Sequence, residues 1–302
     1  MTTTSDVTRH LAAFLSQARN RDGGWGYYTA KASRLEPTCW ALLALGNAAD
    51  ARQQCARALG AWPAENDVLL DRADGQPNYA FHALALLTLR VFGVPHRRGE
   101  KALIDALLSA KGIQLEQSPV FRQDNSLQAW PWVPAAFSWV EPTAWALLAL
   151  KKSDRRDAAA ARIAEGERLL LDRACPSGGW NFGNSVVFDS ELPAYVPTTA
   201  LALLSLQDYQ ETAALEPALK FIERHALAES SSMAFALAML ALTTLRRTEA
   251  SSARRPAPSM SELSAALERQ LSTTAEMGSV LGVAMGLYAL KQTTEPDGAF
   301  RI

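Results

Sequence analysis

The chain has 302 residues, 48% of them hydrophobic and 20% charged, with 30 Lys and Arg against 31 Asp and Glu. This balance argues against a nucleic-acid binder, which carries a basic excess on one face, and the scattered Cys39, Cys55 and Cys175 exclude a disulfide scaffold. With no apolar signal core and no run near the ~20 apolar residues that span a bilayer, a cytoplasmic protein without a transmembrane segment is expected.

An amphipathic helix is expected over about 5–18, followed by the loop Asp22-Gly23-Gly24-Trp25-Gly26-Tyr27-Tyr28. Next comes Glu36-Pro37-Thr38-Cys39-Trp40-Ala41-Leu42-Leu43-Ala44-Leu45, apolar nearly all round, as in a helix buried on most sides. Its proline suits the first turn, where a missing N–H costs nothing. A charged helix over 51–60, an apolar one from near 78 and another charged one over 98–110 continue the alternation. The connection 112–136 carries Phe121, Trp130 and Trp132 and should pack. The decapeptide then recurs as Glu141-Pro142-Thr143-Ala144-Trp145-Ala146-Leu147-Leu148-Ala149-Leu150. After a charged helix over 155–172, Ser177-Gly178-Gly179-Trp180-Asn181-Phe182-Gly183 repeats the glycine–tryptophan loop. Val196-Pro197-Thr198 opens a looser copy of the decapeptide, and a charged helix over 212–226 leads to an apolar one from near 231. A flexible loop is expected at 246–258, then helices over 260–271 and from near 277.

Six apolar helices alternating with six charged ones, in units of roughly 50 residues, describe a repeat architecture. The expected fold is all-α, an (α/α)6 toroid with inner and outer helices, in one domain over residues 1–302. No stretch alternates with period two, so strands should be minor.

Several residues in these units carry chemistry. Trp25 precedes Glu36 by the same spacing as Trp130 precedes Glu141, and Trp130-Pro131-Trp132 replaces Trp25-Gly26-Tyr27. Trp25 and Trp180 are read as bolts between hairpins. Tyr27, Tyr28, Trp130, Trp132, Trp139, Trp145 and Phe182 lie near inner-helix starts and are candidate ligand-binding residues, with His82. Glu36 and Glu141 are candidate catalytic carboxylates; at a helix start, either could instead serve the free amides there. Arg34 should keep Glu36 ionised, whereas aromatic neighbours should raise the pKa of Glu141. Asp189 and Glu191 form a second candidate pair, of the kind that flanks a glycosidic bond.

Gln17, Gly23, Gly24 and Trp25 resemble the glutamine–tryptophan repeat of squalene and oxidosqualene cyclases, and Gln292, Gly298, Ala299 and Phe300 form a degenerate echo. The Thr-Ala-Trp-Ala-Leu pattern is similar both to those cyclases and to the β subunits of protein prenyltransferases. The resemblance implies an α/α toroid around an apolar central cavity. Laid on 139–144, the Asp-x-Asp-Asp-Thr-Ala motif of class II terpene cyclases puts Glu141 at the proton-donating aspartate, and Glu36 falls at the matching place in the first unit. The flanking aspartates are replaced by Trp139 and Pro142, or by Arg34 and Pro37. A lone glutamic acid, with an ordinary pKa of ~4.3, is a weak acid for alkene protonation. The prenyltransferases' Asp-x-Cys zinc pair is absent. Glu36, Cys39 and His82 could only imitate it, so no metal or cofactor is expected.

Three readings follow. The first is a cyclase- or prenyltransferase-like toroid that binds an isoprenoid or similarly apolar ligand and cyclises or transfers it. The second is a non-catalytic toroid that binds a peptide or protein partner. The third is a carbohydrate-active toroid that uses Asp189 and Glu191.

Overall fold

The computed structural model describes residues 4–46, 48–248, 258–294 and 298–302. Among them run twelve α-helices: α1 (Thr4–Gln17), α2 (Leu35–Ala44), α3 (Ala51–Leu59), α4 (Tyr79–Phe92), α5 (Glu100–Ser109) and α6 (Val140–Lys151), then α7 (Ala160–Asp172), α8 (Val196–Ser205), α9 (Glu216–His225), α10 (Ser232–Thr248), α11 (Met260–Glu276) and α12 (Val280–Thr294). The even-numbered helices are the apolar ones, buried over most of their length. They pack in the order α2, α4, α6, α8, α10, α12, and α12 returns to α2, which closes a ring. The odd-numbered helices lie against the outside of it: α5 on α4, α7 on α6, α9 on α8 and α10, α11 on α10 and α12. The fold is therefore the expected (α/α)6 toroid, and no inner helix starts more than three residues from its expected place. The loop expected at 246–258 falls largely outside the described residues, and its first three positions close α10. Strand is confined, among the described residues, to two hairpins: β1 (Ala64–Glu65) with β2 (Val68–Leu69), and β3 (Val186–Val187) with β4 (Ser190–Glu191). No described helix is long and apolar enough to cross a membrane.

Three repeated hydrogen bonds explain why the loop sequences recur. First, each loop tryptophan donates its indole N–H to a carbonyl in the last turn of an outer helix, where carbonyls lack intrahelical partners. Trp25 reaches Leu15 O at 2.7 Å, Trp130 reaches Leu107 O at 2.7 Å and Trp180 reaches Leu170 O at 2.6 Å. Second, the tryptophan's backbone N–H donates to a threonine hydroxyl in the next inner helix: Trp25 to Thr38, Trp130 to Thr143, Trp180 to Thr199. Gly179, at φ +84°, makes this approach possible, because a Cβ there would lie 2.6 Å from Thr199 Oγ1. Third, the carbonyl two residues after the tryptophan accepts from the first N–H of the preceding inner helix. Trp132 O serves Tyr79, Phe182 O serves Val140, and Tyr27 O serves Val280 at 2.9 Å. The Tyr27 bond joins the first unit to the last helix.

These bonds revise one sequence alignment and extend the motif to the second unit. Thr199, and not Thr198, matches Thr38, so Pro197 takes the place of Glu36 and Glu141. In the second unit His82 takes the threonine's part: its Nδ1 accepts from Leu69 N at 3.0 Å, and its Nε2 donates to Leu103 O at 2.9 Å. Burial holds the imidazole neutral, with its pKa down at about 4.

Candidate functional site

The centre of the ring is filled. Trp40 of α2 and Trp145 of α6 meet edge to face at 6.0 Å, although α4 lies between their helices, so this contact passes through the middle. Tyr288 of α12 lies 5.8 Å from Trp40. Phe300, from beyond α12, sits among all three at 5.3–5.6 Å. All four rings are buried. The central region is apolar and aromatic, as the resemblance implied, but the described side chains occupy it. Phe300 also departs from its reading as an echo of the bolting tryptophans, since it points into the ring and not onto an outer helix.

Above this floor, at the N-terminal ends of the inner helices, lies the mouth. The residues that begin each helix's main-chain ladder are Arg34, Asn78, Trp139, Tyr195, Ser231 and Ser279. Two positions on stand Glu36, Ala80, Glu141, Pro197, Met233 and Leu281. Two carboxyls therefore share one register, and the helix between them carries only an alanine there. Tyr27 donates its hydroxyl to Glu36 Oε2 at 2.8 Å, and the Trp145 indole, one turn after Glu141, acts to lower the pKa of that carboxyl. Burial pushes Glu36 up to about 7, partly offset by the Tyr27 bond and by Arg34. Burial pushes Glu141 up to about 8, and the charge of Glu36 adds to the rise. Both glutamates keep some solvent contact despite these shifts. The expectation that Arg34 keeps Glu36 ionised gives way to burial: Arg34 lies over the Tyr27 ring and pairs with Asp71 at 3.0 Å. Nor does Glu36 serve the helix amides; its partner is Tyr27.

The remaining candidates divide clearly. Trp139 precedes α6 and is half-buried, as is Trp132, which meets Phe81 edge to face at 5.9 Å. Phe182 is 54% exposed and lies against Tyr195. Tyr28 is 51% exposed and bridges to Ser279. Trp130 is a bolt, fully buried under the Arg162 guanidinium at 4.4 Å, and has no surface for a ligand. His82 spends both ring nitrogens on the main chain, which leaves none for a ligand or metal and dissolves the Glu36–Cys39–His82 trio. Asp189 and Glu191 belong to the exposed β3–β4 hairpin. Phe188 and Asp189 form its turn at φ 50° and 58°, and the Asp189 side chain is 88% exposed beside Arg122. The pair is a solvated turn and not a cleft. Sequence reasoning missed Trp40 and Tyr288 and misplaced Phe300; Trp40 had a visible counterpart, one turn after Glu36 as Trp145 is after Glu141.

No protein-family model matches the sequence, and no curated protein matches it. Solved structures do share the fold. The type II terpene cyclase MstE from Scytonema aligns with a TM-score of 0.58 at 14% identity, over 96% of this chain and 97% of that one. A variant of it in complex with geranylgeranyl dihydroxybenzoate, its substrate, gives 0.57 at 14% identity, over 96% of each chain. A GH76 α-mannanase from Bacteroides thetaiotaomicron gives 0.56 at 11% identity, over 95% of each. The chain is thus an α/α toroid with the architecture of terpene cyclases and of glycosidases. At these identities the likeness concerns fold alone.

Proposed function

We propose that the mouth receives an isoprenoid or similarly apolar ligand, with Glu141 as the acid that orients or protonates it and Glu36, held by Tyr27, as its partner. A single domain over residues 1–302 and a cytoplasmic location belong to the same reading. The observation that supports it best is the Glu36–Glu141 pair, two carboxyls raised to about 7 and about 8 above a floor of aromatic rings. Near neutrality such carboxyls hold a proton and can donate it in a hydrogen bond. The faces of Trp139, Trp145 and Tyr27 favour any positive charge that develops beside them. An acid this weak suits proton transfer to an oxygen-bearing group better than to an unactivated alkene. The terpene cyclase of like fold, bound to a geranylgeranyl dihydroxybenzoate, supports a prenyl-like ligand.

The test is binding and turnover of a C15 prenyl alcohol by the wild type, Glu36→Gln and Glu141→Gln, read by calorimetry and mass spectrometry. Loss of the buried acid O–H donor should weaken Glu141→Gln by about tenfold, with a smaller effect in Glu36→Gln. Equal affinity and identical products in all three would refute the reading. The filled centre favours a second reading, a toroid that binds without turnover; it predicts binding with unchanged ligand. A carbohydrate-active toroid would have to use the mouth pair, since Asp189 and Glu191 sit on an exposed turn.

A further inference from the structure

Residues 298–302 cross the base of the ring, opposite the mouth. Lys152, at the end of α6, donates its Nζ to Gly298 O at 2.8 Å and to Arg301 O at 2.5 Å. Gln207, just beyond α8, donates to Phe300 O at 2.7 Å and accepts from Ile302 N at 3.0 Å. Within the segment Arg301 N donates to Gly298 O in a turn. No helix or sheet includes it. Lys152 and Gln207 anchor it from two inner helices' ends, and its Ala299 and Phe300 are buried.

The space around it is incompletely filled. A cavity of about 30 Å³ lies beside Phe300, between Leu240, Thr243, Tyr288 and Gln292. A groove of about 330 Å³ runs along its other side, past Leu87, Val91, Lys152 and Ile302. Gly298 borders both. The segment is thus a bar between two hollows, and its aromatic side chain reaches the Trp40–Trp145 floor of the acidic mouth.

We propose that residues 298–302 are a displaceable plug, with Phe300 occupying the deep half of the ligand site. This rests on the mouth reading above and specifies how the site is regulated. Displacement takes Gly298 O and Arg301 O from Lys152 Nζ and Phe300 O from the Gln207 amide, and both are donors. The ligand that replaces the plug therefore has an apolar body matching Phe300 and an acceptor end, a carboxylate above all, matching Lys152 and Gln207. An apolar acid should outcompete the corresponding alcohol.

The probes are a C15 prenyl carboxylic acid and the C15 prenyl alcohol, with wild type, Phe300→Ala and Phe300→Leu, each checked by thermal melting. Amide hydrogen exchange is followed over 298–302. In the wild type the acid should accelerate exchange in that segment, which needs no variant to fold. If the plug is released about a tenth of the time, its removal in Phe300→Ala should tighten binding about tenfold, with an intermediate gain in Phe300→Leu. Binding that is sensitive to Glu141→Gln but leaves exchange and the Phe300 variants unchanged would overturn the plug and leave the mouth reading standing. No binding to any variant would overturn both.

Discussion

Raising pH should destabilise this protein through Glu141, and replacing that residue by glutamine should remove the effect. A carboxyl whose pKa is higher folded than unfolded keeps a proton that unfolding releases. Its contribution is fully present below the unfolded value and is lost as pH rises through the folded one. For Glu141 the window runs from its ordinary 4.5 to about 8. With about 1.4 kcal/mol per pH unit, the whole window bounds the effect at about 5 kcal/mol. Between about pH 6.5 and about pH 9 the same relation gives about 2 kcal/mol. Glu36, raised to about 7, adds somewhat less than 1 kcal/mol over that range, and the two titrate as a pair. His82 works in the opposite sense, since its depressed pKa of about 4 makes stability fall as pH drops below its ordinary 6.5; starting near 6.5 keeps it out of the comparison. Urea unfolding of wild type, Glu141→Gln and Glu36→Gln across this range is the assay. The wild-type curve should fall toward high pH while that of Glu141→Gln lacks this fall, so the gap between them should widen by about 2 kcal/mol from about pH 6.5 to about pH 9. Parallel curves would show that Glu141 titrates as an ordinary exposed carboxyl and would remove the basis for its role as an acid.

Trp25→Ala and Trp180→Ala should each lower stability by about 3–5 kcal/mol, because both indoles are buried and hold an outer-helix carbonyl; unchanged melting temperatures would exclude the bolting role. Tyr27→Phe should raise the pKa of Glu36 further, since the lost hydroxyl bond favours the ionised form, and carboxyl chemical shifts followed through a titration would detect a change of the wrong sign. Asp189→Asn with Glu191→Gln should leave stability within about 0.5 kcal/mol and leave binding untouched; a large loss of either would restore that hairpin as a site.

The recurrence of Glu-Pro-Thr-x-Trp-Ala-Leu-Leu-Ala-Leu made the ring legible, because a helix apolar on every side has to be surrounded, and six such helices surround one another only by closing. The bolts were legible for a similar reason: a glycine pair ahead of an indole has few other uses. What misled was backbone register. Pro197 looks like the motif's proline, yet the bond that defines the unit belongs to Thr199, one residue along from the apparent match. His82 was hidden because a ring nitrogen can accept the same main-chain N–H as a hydroxyl, a substitution no residue-similarity reading would make. Phe300 follows Gly298 and Ala299 as Trp25 follows its glycines, but beyond α12 it turns inward to Trp40, Trp145 and Tyr288.

The two ends of the ring differ in a way that bears on any activity. At the mouth, desolvation is the leading cause of both raised carboxyl pKa values. Water that reached Glu36 and Glu141 freely would return both toward their ordinary range. The aromatic floor is part of what keeps that water out, and Phe300 completes the floor from below. Trp145 links the two ends directly, since it influences the Glu141 carboxyl one turn before it and packs on Phe300 at 5.6 Å. Anything that moves the Phe300 ring therefore changes the solvation of the acid pair through one intervening side chain. A ligand that displaced the ring but failed to fill its place would admit water, lower the pKa of Glu141 and leave it a carboxylate at neutral pH. One that filled the place would keep the acid protonated. The acid state of the mouth thus depends on how well the base is sealed, and this coupling is open to measurement: Phe300→Ala should move the Glu141 titration downward, and an apolar occupant should restore it.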